Sequence, residues 1–429
     1  MLNSKTAEIV RLLMSYGGVE AVAKGLNITL LLSLAALVDL HTYGAIAILV
    51  GLELLLTEFI VLGQHTVLLR LYDSRPNMLP RIYSSAVILV LFSGIVILAA
   101  ISVLPLNELP FFSESFSKQD LIFLVLSVAF HCHFLVYLSY LRMSNNFQEY
   151  GLIRIGFMLL KIVAVGSAVM LIGGVSAYPI GLFVGNGAFL LMTLSRINKK
   201  TGGSYFRLGE LLKLNLIKKN ISLGFPLMVH CVIGVSYTFL DRLFLSSLMD
   251  ERNVGIYNFA LIQGTAVFFV VNVLALVYVP HIYRFPEYTK ETEKLLRKFL
   301  VIALFSVASL ALPIYFFLFP MSLNFVSQDF SEGQDVVLFS LGTVLVHSFS
   351  AYGIYKLTAL HQVAAVPLVT MIAFTCNVAL NWYLIPLFGI EGAAAATLIS
   401  EIANGILIVL LANFMARRVI GITKGKLNK

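Results

Sequence analysis

Charge is scarce in this chain. Only 12% of its 429 residues are Asp, Glu, Lys or Arg, about half the share found in soluble domains. With 59% hydrophobic residues and a mean hydropathy of +0.92, it has too little polar surface to close around a water-facing globule. Cysteine is nearly absent as well. Cys132, Cys231 and Cys376 lie far apart, each inside an apolar run, which excludes a disulfide framework and argues for buried free thiols rather than a metal site. No Walker-type Gly-rich phosphate loop is present, so ATP is not the expected energy source. The N-terminal stretch MLNSKTAEIVRLLMSYGG spaces its charges and lacks a small-residue cleavage site after a short apolar core, so no cleavable signal peptide is expected. No catalytic constellation, cofactor motif or metal-ligand cluster appears. His131-Cys132-His133 invites a metal reading, but residues i and i+2 point to opposite sides of a helix.

What is abundant is apolar runs of membrane-spanning length, each near the roughly 20 residues a helix needs to cross a bilayer. They predict an all-α polytopic membrane protein of twelve helices, over 14–38, 43–69, 82–104, 121–141, 150–172, 176–195, 221–246, 254–283, 298–319, 336–356, 362–386 and 391–415. The loop charges test this count, because Lys and Arg accumulate on the cytoplasmic side. Lys5 and Arg11, then Arg70, Arg75 and Arg81, then Arg142 and Arg154 mark alternate loops. The series continues with Arg196 to Lys219, Arg284 to Lys298, Lys356, and the tail from Arg417. The loops between them are bare of Lys and Arg or dominated by acids, as at Leu106–Asp120 and Met321–Asp335. The net charge of +8 therefore belongs to cytoplasmic loops, not to a nucleic-acid surface, and both termini are expected inside. The halves also resemble each other: Asp39 to Gly44 corresponds to Asp250 to Gly255, and Gly173-Gly174-Val175 to Gly389-Ile390-Glu391-Gly392. Six helices per repeat make the repeats parallel, an architecture of secondary transporters with the substrate site expected between the halves. The expected domains are a six-helix bundle over 1–195, a basic linker over 196–220 and a second bundle over 221–429.

The stretch Gly224 to Arg284 organises the rest. It holds a Gly224-Phe225-Pro226 entry, an Asp241-Arg242 pair, Val254-Gly255-Ile256-Tyr257 after a polar turn, and an exit through Pro280 and Arg284. That order resembles the bacterial polysaccharide flippases, which move lipid-linked O-antigen or capsule repeat units, within the superfamily that includes the multidrug and toxin extrusion antiporters. The resemblance implies that fold, an inner-membrane location and transport of an undecaprenyl-diphosphate-linked oligosaccharide by alternating access. It also implies membrane lipids, a glycan polymerase and a chain-length regulator as partners, and no enzymatic activity. A cation-coupled drug antiporter of the same fold is the first rival. A membrane-embedded polymerase or acyltransferase is the second, disfavoured because the outside loops are too short for a periplasmic domain. The loop Arg70–Arg81 lacks the Gly-rich Asp-Arg signature of major facilitator transporters.

Ionisable residues inside apolar runs are costly, on the order of 2.5–3.5 kcal/mol at mid-membrane on insertion scales, and so mark interior or wet positions. Lys24, Lys161 and Arg242 are candidates for the pyrophosphate, with Arg70, Arg142, Arg154 and Arg284 at a cytoplasmic mouth. Lys161 leads, because its own helix offers no acid within two turns. Glu20 and Lys24 stand at i, i+4, so they either pair with each other or meet substrate. Glu53, Glu58, Asp241 and Glu401 suit a coupling H⁺ or Na⁺, or else packing. Asn272, Asn377, Asn381 and Gln263 read as interhelical hydrogen-bond groups that would also suit sugar hydroxyls. Gly224 and Pro226 form an expected bending point.

Overall fold

The computed structural model describes residues 2–68, 79–104, 116–144, 146–201, 214–282, 288–362 and 365–427. Every long element among them is a helix. In order these are α1 (Leu2–Leu37), α2 (Leu40–Val61), α3 (Leu79–Val103), α4 (Lys118–Met143), α5 (Phe147–Ile172), α6 (Ala177–Thr201), α7 (Leu214–Leu248), α8 (Glu251–Thr265), α9 (Phe268–Ile282), α10 (Lys290–Pro313), α11 (Gln334–Ala359) and α12 (Val366–Leu427). Among the described residues, eleven stretches are long and apolar enough to span a membrane. One of them, Val366–Arg418, is 53 residues long and breaks at Gly389, so it accounts for two of the twelve expected crossings.

The helix ends follow local chemistry. Asp39 caps α2 by accepting from the Thr42 amide, Ser117 and Asp120 form a reciprocal capping box at α4, and Asp250 caps α8 through Asn253. Each side chain satisfies an amide that the first helical turn leaves unpaired. At the end of α10, Pro313 leads into a π-helical turn, Ile314–Leu318. At the turn inside α12, Gly389 takes φ 60 and ψ −132, a conformation open in practice to glycine. A Cβ on Gly392 would lie 2.3 Å from the Leu384 carbonyl oxygen, so both glycines are needed for the two segments to fold back on each other.

The described residues form two compact units, Val19–Ser247 and Leu248–Lys429 with Met1–Gly18. The compact units part at Ser247, and residues 202–213 of the basic stretch 196–220 lie outside the described residues. Within the first unit, α4 packs against α2, α3, α6 and α5, and α5 against α6. The helix α7 joins this unit through close approaches to α2. In the second unit, α11 is the centre, packed against α12, α10 and α8.

The second crossing was expected to run unbroken to residue 69. Instead α2 stops at Val61, and Leu62 and Gly63 take left-handed backbone, φ 47 and φ 66. The cause lies in α7. A Cβ on Gly224 would stand 2.2 Å from the Leu62 carbonyl oxygen, and one on Gly63 would stand 2.8 Å from the Gly224 carbonyl. The freed Leu62 carbonyl accepts from Gln64 Nε2 at 3.1 Å. The α-helix of α7 continues through Pro226. The irregularity suggested by Gly224 and Pro226 thus appears in the helix they pack against.

Candidate functional site

Two polar clusters, one buried and one partly exposed, lie within the Val19–Ser247 unit. The first centres on Glu53 of α2, which is 5% exposed. Its Oε1 accepts from Lys161 Nζ of α5 at 2.9 Å and its Oε2 from the Tyr178 hydroxyl of α6 at 2.6 Å. One carboxylate ties three helices together. Opposite charges at this distance in a dry interior strengthen each other, and removing one would leave the other uncompensated. Lys161, a candidate for the pyrophosphate, and Glu53, read as either a coupling-ion or a packing residue, are bound to each other. His131 of α4 lies within Coulombic range of both, and its ring stacks on Phe157 at 5.3 Å. His133 points the other way, to the Tyr83 hydroxyl at 3.3 Å.

Two residues before Glu53 on α2, α7 brings Phe239 and Arg242 against Gly51. A Cβ there would lie 2.1 Å from the Phe239 ring and 3.0 Å from Arg242 Nη1. Asp241 and Arg242 are both buried, at 1% and 7% exposed. A helix turns about 100° per residue, so they serve different faces of α7. Glu58, one turn beyond Glu53, is half-buried and hydrogen-bonded to the Cys231 thiol of α7.

The second cluster joins α1 to α4 and α5. Glu20 accepts from the Tyr150 hydroxyl through Oε1 and from Arg154 Nη2 at 3.1 Å through Oε2. Arg142 Nη2 donates to the Tyr150 hydroxyl at 3.1 Å, and its guanidinium stands 5.5 Å from that ring's centroid. The Arg154 and Glu20 side chains are 16% and 24% exposed, against 10% and 7% for Lys161 and Glu53. An incoming anion therefore has access to Arg154 and much less to Lys161. Lys24, one turn past Glu20, is exposed on α1. Arg70 and Arg284 lie outside the described residues.

The Leu248–Lys429 unit holds the remaining candidates. Glu401 is buried and hydrogen-bonded to His347, Ser350 and Asn404. Asn377 donates to Thr397 at 3.2 Å and accepts from Asn381 at 3.1 Å, which links the two segments of α12. Gln263 of α8 is buried and accepts from Ser322 at 3.3 Å. Asn272 is exposed on α9.

Several members of these clusters carried no sequence signal. Tyr150 and Tyr178 are two among 18 tyrosines, and only their partners distinguish them. Lys356 reads as a loop cation at the end of a crossing, yet it is 5% exposed. It pairs with Glu293 at 2.9 Å and donates to Asn413 at 2.8 Å.

The sequence matches, over residues 10–286, the family described as "Polysaccharide biosynthesis protein". No curated protein sequence matches the chain. Among solved structures, the chain is similar to the lipid II flippase MurJ in an inward closed conformation, with TM-score 0.73 and 16% identity, over 94% of this chain and 87% of that one. It is also similar to an inward-facing multidrug resistance transporter of the MATE family in the MOP superfamily, with TM-score 0.71 and 14% identity, over 94% and 96%. A third is a point mutant of the Vibrio cholerae MATE transporter VcmN, with TM-score 0.60 and 14% identity, over 97% and 98%. At these identities the likeness is one of fold.

Proposed function

Because this chain belongs to the polysaccharide biosynthesis protein family, we propose that it is a flippase for a lipid-linked oligosaccharide, working by alternating access. The substrate is an undecaprenyl-diphosphate-linked repeat unit of O-antigen or capsule, carried across the bacterial inner membrane with both chain termini cytoplasmic. The protein makes and breaks no covalent bond. Family membership carries this reading, supported by a fold shared with a lipid II flippase.

The Glu20–Arg154–Tyr150–Arg142 cluster is the part of the chain suited to a diphosphate. Arginine presents a planar fork of donors that matches phosphate oxygens. Arg154 is held by a carboxylate contact at 3.1 Å and remains partly exposed, so a diphosphate competes with Glu20 for it and Arg142 adds a second guanidinium. Lys24 extends the cationic stretch along α1. Lys161 acts differently: its charge is matched by Glu53, and it holds α5 to α2 while the head group moves. Arg242 stays a candidate contact through its position at Gly51.

The test is a deletion strain assayed for surface glycan and for the lipid-linked repeat unit on each leaflet. The expected result is loss of surface glycan with the repeat unit trapped on the cytoplasmic side. Complementation with Arg154→Ala should restore less glycan than the wild-type gene. Normal glycan together with altered sensitivity to cationic drugs would overturn the reading in favour of the antiporter, which has the same fold.

A further inference from the structure

In the Leu248–Lys429 unit, Glu401 is a membrane-embedded carboxylate whose hydrogen-bond partners are a histidine and two neutral side chains. Its Oε1 accepts from Ser350 Oγ at 2.7 Å and lies 3.0 Å from His347 Nδ1. Its Oε2 lies 3.4 Å from Asn404 Nδ2. This differs from Glu53, which is tied to a lysine. Of these side-chain types, histidine has its ordinary pKa nearest physiological pH, and lysine's lies far above it.

Two further observations point to a ligand here. The Asn404 side chain is buried, 8% exposed, and its Oδ1 has no hydrogen-bond partner. Turned over about its last torsion, the same amide presents that oxygen to Glu401, where a protonated Oε2 would supply the donor it lacks. The site also has an opening. The His347 side chain is 36% exposed while Glu401 is 9% exposed, so one end of the pair meets the surroundings and the other is enclosed. The Phe268 ring closes edge-on against His347 at 4.9 Å.

Charged residues on the helices around the pair sit at their ends. Glu251 and Arg252 open α8, the stretch 290–298 opens α10, and Asp335 opens α11. Lys356 follows His347 by nine residues, roughly 13 Å along the helix, and is engaged by Glu293 and Asn413. On α12, Glu391 and Arg417 flank Glu401 from ten residues or more away. The other titratable side chains on these elements are Tyr257, Tyr278, Tyr352 and Tyr355, with Cys376 and Tyr383 on the first segment of α12 and His281 at the end of α9.

We infer that His347 and Glu401 form a proton-binding site, enclosed by Ser350 and Asn404. Its ligand is a proton that enters at the exposed imidazole and is held on Glu401 Oε2, and binding adds one positive charge to the Leu248–Lys429 unit. On the flippase reading, that change in charge is what couples transport to a proton gradient.

The test uses the full-length protein in phospholipid nanodiscs, titrated between about pH 5 and 8, the range of histidine chemistry, with difference infrared spectroscopy reading the protonated-carboxyl band. Wild type should show a titrating band that is lost in Glu401→Gln, a substitution that keeps the hydrogen bonds. In His347→Gln, on a half-exposed ring that folding tolerates, the midpoint should move by at least one pH unit, a tenfold change in proton affinity. A band retained in Glu401→Gln, or an unmoved midpoint in His347→Gln, would overturn the site. The two readings can fail separately. Loss of glycan on deletion without a Glu401 band removes the proton site and leaves the flippase. A Glu401 band with normal glycan keeps the site and removes the flippase.

Discussion

The Lys161→Met substitution separates a structural role of the Glu53–Lys161 pair from a substrate role. It deletes the ammonium 2.9 Å from Glu53 and keeps most of the apolar stem. Glu53 would be left as a buried carboxylate with the Tyr178 hydroxyl as its remaining donor. Removing one partner of a buried pair costs about 3–5 kcal/mol. The carboxylate has an escape, which is to take up a proton. That costs about 1.4 kcal/mol for each pH unit above the ordinary glutamate pKa of about 4.3, so about 4 kcal/mol at pH 7 and about 1 kcal/mol at pH 5. The sign follows: the variant is penalised while the lone carboxylate is ionised, and the penalty fades as pH falls towards 4.3. Thermal unfolding of purified protein in detergent should show a gap between wild type and Lys161→Met at pH 7 that narrows at pH 5. Adding Glu53→Gln removes the stranded charge, while the Gln oxygen still accepts from Tyr178. The double variant should therefore recover most of the stability, and with it surface glycan. A double variant that melts like wild type yet displays no glycan would refute the structural role and return Lys161 to the substrate. So would a Lys161→Met protein as stable as wild type at pH 7.

Two other outcomes follow from the backbone. Gly224→Ala puts a methyl group 2.2 Å from the Leu62 carbonyl oxygen, a backbone atom that cannot turn aside; overpacking of this kind costs about 1–3 kcal/mol, seen as a lowered melting temperature and reduced glycan display, whereas Gly234→Ala, with nothing within 4 Å, should be silent. Asp39→Asn tests the cap of α2. Partial burial alone would raise the Asp39 carboxyl, but its hydrogen bonds with the Thr42 side chain and amide outweigh that and hold it below the ordinary aspartate range. The charged cap therefore stabilises above about pH 4 and the benefit is lost progressively as pH falls below it, so wild type and Asp39→Asn should melt apart at pH 7, by less than about 1 kcal/mol for this exposed cap, and the gap should narrow as pH falls below about 4.

Composition and periodicity determined the class of this protein. A chain this poor in charge and this rich in long apolar runs can only bury its backbone polar groups as membrane helices, and the crossings were readable from spacing and loop charge. The turns at Asp39–Gly44, Asp250–Gly255 and Gly389–Gly392 were also legible, because each depends on particular residue types at one place in a local motif. The ionisable residues inside the runs could be named for the same reason. Their partners could not. Glu20 stood four residues from Lys24 in sequence, yet its carboxylate accepts from Tyr150 and Arg154, 130 and 134 residues away. Lys161 looked free because its own helix holds no acid within two turns, and the acid arrives from α2. The tertiary structure alone decided which charges are matched, which stay accessible, and that a glycine in α7 breaks α2. Pairing in a membrane interior is a matter of which helix faces lie side by side, and helical periodicity says nothing about that.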